Sequence, residues 1–483
     1  MKIIILGGGT AGFVTALVLK HSYPGFSVSV IKSSGIGTIG VGEGTTDHWS
    51  EFMDFCQISH ADIIRHCGAT FKSGIMFKDW CENDYLHSVE NHFTETYNGI
   101  PVSYGCLAAA RCHPREMVPE VLWDSKVTLS DNTLDNINTA PVNQYHFDTN
   151  LLAEFLEKIS ISRGIEVIDD TIVEIKHSDE EITEIIGSRS YTADFFIDCS
   201  GFSRSLISKL GGEWKSYSKH LQVDSAITFK TENQDYPMWT LAQAMSSGWM
   251  FSIPVQGRKG NGYVYSSQHI SKDQAQAEVE ALLGKPVEIA KHINFDPGKL
   301  DKTWIGNCVA IGLSSSFIEP LEASSIGSTI QQAFLLSEYL YAYDEEDVFN
   351  YNLKVNSIFD NIRDFVFLHY ITPREDTEFW REQKQIEYPE QLNNNLLKWQ
   401  KRLPTDKDFT SVTDRVLFLS PNFVIVLYSL GLLDSRTVKK QLSYLPANIT
   451  QNAKQQLDTM KQAIDSTPKV SHETVINMIR DIE

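Results

Sequence analysis

The sequence predicts an α/β fold: a parallel-sheet module at the N-terminus, an antiparallel sheet laid over it, and a helical C-terminal part. Three observations carry this reading. A strand, a glycine-rich turn and a helix open the chain; strand-like segments cluster between residues 165 and 267; and helical periodicity dominates from about residue 328 onward. The expected division is residues 1–345 for the module with its interleaved sheet and 346–483 for the mainly helical region.

Each element follows from its residue pattern. Residues 3–6, IIIL, are a short β-branched apolar run suited to a buried strand. FVTALVLKHS then reads as a helix and FSVSVIK as a second strand, a βαβ start that implies a parallel sheet. In LLAEFLEKIS the apolar residues Leu151, Leu152, Phe155, Leu156 and Ile159 share one helix face. GIEVIDDTIVEIKH, EEITEIIGS and YTADFFIDCSG follow as strand-like segments, the last returning the chain to the first sheet. LQVDSAITFK, GWMFSIPV and GNGYVYSS supply the second sheet.

Composition bounds the function. The 483 residues exceed one ordinary core and suggest interleaved modules, and 42% apolar with 22% charged residues is the balance of a globular protein. A net charge of −20 argues against nucleic acid or an anionic membrane as partner. The seven cysteines are odd in number and form no CxxC pair, which fits a reduced cytoplasmic chain rather than a disulfide framework or a metal site. No apolar run is long enough to span a bilayer. MKIIILGGGTAGFVTALVLK imitates a secretory leader, but its removal would delete the first strand and the glycine turn, so it is read as part of the fold. The oligomeric state is left open, a homo-oligomer included.

GGGTAG places Gly7, Gly9 and Gly12 at GxGxxG spacing between a strand and a helix. Gly7 permits the tight turn, Gly9 lets backbone amides approach a pyrophosphate, and Gly12 allows close helix packing, with the helix N-terminus facing the negative charge. The motif predicts a bound dinucleotide. An acid at the end of the second strand ordinarily holds a ribose hydroxyl. Here Lys32 stands there, and Glu43 in GVGEGTT is the nearest substitute.

Read together, GGGTAG, GVGEGTT, TFKSGIMFKDW, FIDCSGF, GWMFSIPVQGRKGNGYVYSS, WIGNCVAIGL and FIEPLEASSI resemble the flavin-dependent halogenases of the tryptophan halogenase family, over residues 1 to about 381. The resemblance implies an FAD module of the flavin monooxygenase type, used as FADH2. Oxygen and a halide (chloride, bromide or iodide) then give hypohalous acid, which halogenates an electron-rich aromatic of indole or phenol type by electrophilic substitution. It implies flavin contacts from Gly7, Gly9, Thr10, Ala11, Gly12, Glu43, Gly44, Val173, Leu313 and Ile326.

The same resemblance assigns the chemistry. Lys72 holds or activates the oxidant, and Glu322 pairs with the lysine and stabilises or deprotonates the ring. Ser324 and Ser325 seat the halide through backbone amides, and Trp249 with Phe251 keeps substrate from flavin, in a WMFSIP version of the family's two-tryptophan signature. Lys78, six residues after Lys72, carries no such correspondence, Glu319 is expected to be structural, and His146 is expected to order a helix start. His369 and Arg374 are read as structural hydrogen-bonding residues, and Cys199 and Cys308 as small core fillers. With no second dinucleotide fingerprint, a separate flavin reductase must supply FADH2. The rival readings are a flavin-dependent aromatic hydroxylase, which needs neither a remote lysine nor a barrier, and a catalytically silent flavin-binding protein. Neither the substrate, free or carrier-bound, nor the halide is legible in the sequence.

Overall fold

A computed structural model describes residues 1–36, 43–88, 91–128 and 144–481. The chain divides into two compact units, each assembled from three stretches: Met1–Ala69, Phe147–Tyr217 and Asp296–Asp360 in the first, and Thr70–His146, Ser218–Phe295 and Asn361–Glu483 in the second. Each unit therefore draws residues from both sides of position 345.

The first unit is built on a six-stranded sheet ordered Glu166–Asp169, Ser27–Lys32, Lys2–Leu6, Phe195–Asp198, Cys308–Ala310, Trp304–Ile305. Its first five strands run parallel and the last pair antiparallel. The parallel strands are buried on both faces, hence the unbroken IIIL and FFID runs. One face packs Ile4, Ile31 and Phe196 against Ile182, Ile185 and Leu206. The helix Thr10–Ser22 is buried on every face from Gly12 to Leu19, since the helices Thr149–Ser162 and Ser324–Tyr339 flank it. In the predicted helix at 151–159, Leu152 and Leu156 turn inward while Leu151 stays exposed; Asp148 caps the helix by accepting from the Asn150 and Leu151 amides.

The second unit holds a seven-stranded sheet ordered Ile289–Asn294, Ser225–Glu232, Arg258–Tyr265, Gly248–Val255, Trp239–Met245, Gly74–Lys78, Tyr85–His87. All its pairs are antiparallel except the parallel pair of Gly74–Lys78 with Trp239–Met245. An Asn98-Gly99 turn, both residues at positive φ, closes the small hairpin Thr96–Tyr97 with Ile100–Pro101. The expected helical C-terminal part is observed, with one exception. Lys469–Ser471 is a strand, paired antiparallel with Lys126–Thr128. Three residues of tertiary pairing carry too little local pattern to register as a strand.

Among the described residues no helix is long and apolar enough to cross a membrane, and no group of three or more His, Cys, Asp or Glu side chains is placed to hold a metal ion. All seven cysteines are free thiols, and burial pushes Cys56 and Cys67 up to about 12.

Candidate active site

The glycine turn has the form its spacing requires. Gly7 adopts φ +127°, where any side chain would collide with the Cys199 carbonyl. A Cβ on Gly12 would run into the Gly7 carbonyl, so the helix start can lie this close to the strand only with glycine there. Gly9 is the opposite case, because a Cβ there meets open space. Gly9 is also the N-cap of the helix, whose first turn has no side-chain cap and no acidic residue, so the Thr10 and Ala11 amides end the helix unneutralised. Gly312, at φ +70°, brings the turn Gly312–Ser314 against Ala11, which places half-buried Leu313 beside the glycine turn.

Asp198 explains the FIDCSGF segment. One carboxylate oxygen accepts from Ser200 N and Oγ (3.0 and 2.6 Å) and from Ser314 Oγ (3.2 Å), and the other from the Leu206 and Ile207 amides (2.7 and 3.0 Å). A fully buried carboxylate thus ties three loops together with its lone pairs occupied. Cys308 is fully buried in the neighbouring strand, whereas Cys199 is only partly buried.

At the second strand's end Lys32 is engaged with Glu157, Nζ to carboxylate 2.6 and 2.7 Å, which leaves no acid for a ribose at that position. Glu43 is the acid available. Its Oε2 is buried without a hydrogen-bond partner among the described residues, and burial pushes its pKa up to about 7. Residues 40–42 of GVGEGTT lie outside the described residues. An open approach over Gly9, an uncapped helix start and an acceptor seeking a donor fit a dinucleotide bearing ribose hydroxyls. Val173 is 77% exposed and donates its amide to the Ile186 carbonyl.

FIEPLEASSIGS runs from the end of a two-residue strand, Ser316–Phe317, through a 3-10 turn, Pro320–Glu322, into the helix Ser324–Tyr339. The junction is Ala323 at φ 52°, a left-handed conformation that bends the chain so that the helix begins at Ser324 with no side-chain cap. The free amides at this start belong to Ser324, Ser325 and Ile326, with Ser324 and Ile326 buried and Ser325 partly exposed. Within the helix the Ser325 carbonyl accepts from Ser328 Oγ (3.0 Å) and Thr329 Oγ1 (2.8 Å). Glu319 and Glu322 are both 0% exposed.

In the second unit Lys72 is 0% exposed, whereas Lys78, six residues on, is exposed at its strand's end. The backbone around Lys72 is held at every neighbour. Its own amide donates to the Gln144 carbonyl (2.8 Å), next to the register pair Tyr145↔Phe71. Ser73 donates N and Oγ to the Met238 carbonyl (2.5 and 2.9 Å). Thr70 Oγ1 donates to the carbonyl of Pro254 (2.7 Å), the last residue of WMFSIP.

His146 does not order a helix start, a task Asp148 performs; its ring is buried between two threonines, Nδ1 3.3 Å from Thr70 Oγ1 and Nε2 2.9 Å from Thr240 Oγ1. Because Thr70 spends its hydrogen on Pro254, it accepts from Nδ1–H, and Nε2 accepts from Thr240. Burial, then the Lys72 charge and His472, hold His146 well below its ordinary pKa and so keep it neutral. His472 accepts the Phe71 amide, a contact no motif announced.

Trp249 and Phe251 lie on one face of the strand Gly248–Val255, ring centroids 6.1 Å apart. The Phe251 ring covers Gly262, its cross-strand partner, and Trp249 is 1% exposed with its indole N–H unpartnered among the described residues. His369 and Arg374 are engaged structurally: His369 Nδ1 with Tyr85 Oη at 2.8 Å, and Arg374 as a fork on Asp376 at 2.7 and 2.9 Å.

Residues 2–444 match the tryptophan halogenase family model. Tryptophan 6-halogenase SttH of Streptomyces toxytricini is 31% identical over 451 residues, covering 84% of this chain and 85% of that protein. Tryptophan 7-halogenase RebH of Lentzea aerocolonigenes is 31% identical, covering 82% and 81%. Among solved structures, a tryptophan halogenase from Shewanella frigidimarina superposes with a TM-score of 0.89 at 26% identity over 99% of this chain and 97% of that one. BrvH, a flavin-dependent halogenase from Brevundimonas, gives 0.83 at 27% identity over 99% of each chain.

Proposed function

This chain belongs to the tryptophan halogenase family of flavin-dependent enzymes, and from that premise we propose that it halogenates an electron-rich aromatic of indole or phenol type, with FAD as its flavin. The observation that carries the residue assignments is the buried Lys72 on a backbone fixed at residues 70 to 73, beside an exposed Lys78. A hydroxylase has no use for such an amine, and a silent flavin binder has no reason to bury one.

When bound, the reduced flavin supplies two electrons that, with oxygen and a proton, convert halide to hypohalous acid and water. This chain's residues do the rest. The uncapped helix start receives the dinucleotide's pyrophosphate, and Glu43 accepts from ribose. Gly44, Leu313 and Ile326 complete the flavin's surroundings; for Val173, at 77% exposure, only a peripheral contact is left. The Ser324 and Ser325 amides hold the halide at a helix N-terminus that carries no competing acid.

Trp249 and Phe251 form an aromatic barrier that leaves the organic substrate to meet hypohalous acid instead of flavin. Lys72 Nζ holds that acid by hydrogen bonding or takes up its halogen. The ring gains halogen at carbon and loses a proton to Glu322, and the hydroxyl takes a proton from the Lys72 amine and leaves as water, Glu322 later returning its proton to the lysine. Electrons arrive from a separate reductase, so NADH and FAD alone give no product until one is added.

Chemically reduced FAD, oxygen and indole, with and without bromide, test the reading. Bromoindole that appears only with bromide is expected; an oxygenated indole formed regardless of halide contradicts it.

A further inference from the structure

We propose that His472 is a positioning residue for the catalytic lysine, clamping the open edge of the strand that delivers it. The inference rests on the role of Lys72 given above and deepens it.

Thr70–Phe71 is an edge strand of its small sheet. Successive amides of a strand point to opposite edges, and the Lys72 amide is committed to the Gln144 carbonyl on one side. The Phe71 amide therefore points the other way, where no strand lies, and Phe71 is 2% exposed, so water does not serve it. The partner is the His472 ring, whose Nε2 accepts from Phe71 N at 2.9 Å.

Its other nitrogen, Nδ1, lies 2.9 Å from the Tyr236 carbonyl. A carbonyl only accepts and an amide only donates, so the ring is neutral with its hydrogen on Nδ1, and both nitrogens are used. Burial, which holds His472 down to about 4, agrees with that state. The ring stands in for a missing neighbouring strand one residue before Lys72.

The segment carrying His472 is itself fixed. Val470 pairs with Val127 in the short strand, and Val475, Ile476 and Ile479 bury one face of the helix His472–Asp481. His472, Val470 and the helix His472–Asp481 lie beyond residue 444, where the family match ends. The lysine's placement is thus set by a part of the chain that the family motifs do not contain. Releasing the clamp lets the backbone before Lys72 swing toward its open edge, and a displacement of about 1 Å at a reacting group costs up to roughly a hundredfold in rate.

Asn and Gln separate the two bonds, because a Gln carboxamide reaches the position of Nε2 and an Asn carboxamide that of Nδ1. The full-length chain and its His472→Ala, His472→Gln and His472→Asn variants are compared for indole bromination and for escaped hypobromous acid caught by a soluble trap. His472→Ala and His472→Asn are expected to lose roughly tenfold or more in kcat with KM for indole unchanged, while trapped acid rises. His472→Gln is expected to recover most of the rate, and hydrogen exchange at the Phe71 amide to be fast in the Asn variant and slow in the Gln variant. Parent-like bromination in His472→Ala, or equal rescue by Asn and Gln, overturns the clamp and leaves the halogenase reading intact. A parent chain that makes neither bromoindole nor hypobromous acid overturns that reading and the clamp with it.

Discussion

The glycine turn of the first unit and the lysine strand of the second hold their functional groups by different means. The turn works with backbone: Gly7 and Gly12 have no room for a side chain, and the helix that follows starts with no side-chain cap. Around Lys72 the main-chain bonds of Lys72 and Ser73 are joined by side chains, Thr70 reaching Pro254, Ser73 reaching Met238, and His472 taking the Phe71 amide. A backbone site tolerates almost no added atom but needs few partners. A side-chain site accepts conservative change but fails when one remote hydrogen bond is withdrawn.

That contrast can be broken at several points. The largest effect is expected for Gly12→Val, whose side chain must displace the Gly7 carbonyl; flavin affinity, followed by fluorescence titration, should be lost altogether. Gly9→Ala is its control. With open space around Gly9, the melting temperature of the flavin-free chain should be unchanged while flavin binding weakens. An equal melting penalty for both would show that the turn is not built as described.

Next is Thr70→Val, which strands the buried Pro254 carbonyl and His146 Nδ1–H at roughly 1–3 kcal/mol each. Melting should drop by several degrees with flavin affinity intact. A smaller loss is expected for Gly262→Ala, where the Phe251 ring over that glycine must turn aside and the Ile227 carbonyl, 3.1 Å from the added Cβ, need give only a little. A penalty of about 1–2 kcal/mol should come with a changed ratio of halogenated to oxygenated product if the ring is part of the barrier.

The smallest effect concerns Glu43, which is half-buried. Its pKa is raised from 4.5 to about 7 by burial, so its protonated form is the one the fold favours. That contribution is complete below the unfolded pKa and is lost as pH rises through the folded one. Glu43→Gln should therefore melt like the parent at pH 4.5 and a few degrees higher at pH 8 without flavin. A gap of the same size at both pH values would remove the titration from the account.

The two regions also differ in how far the sequence disclosed them. The turn was legible because Gly7, Gly9 and Gly12 lie within six residues and a backbone conformation leaves a local signature. Lys72 was legible only as part of a resemblance, since a lone lysine on a strand looks like Lys78 beside it. His146 was misread as a helix-start residue because its threonine partners are 76 and 94 positions away. His472 gave no signal at all, its two partners lying 401 and 236 positions distant. Short strands such as Lys469–Ser471 were hidden for the same reason, because their pairing is decided by tertiary contact.

Lys72→Met keeps the length and bulk of the buried side chain while removing the amine, and so tests the central claim most directly. With reduced FAD, oxygen, bromide and indole, bromoindole and trapped hypobromous acid are measured in the same reaction. Bromoindole is expected to fall at least about a hundredfold while hypobromous acid is still produced at the parent rate. Bromoindole formed as fast as by the parent chain would contradict it.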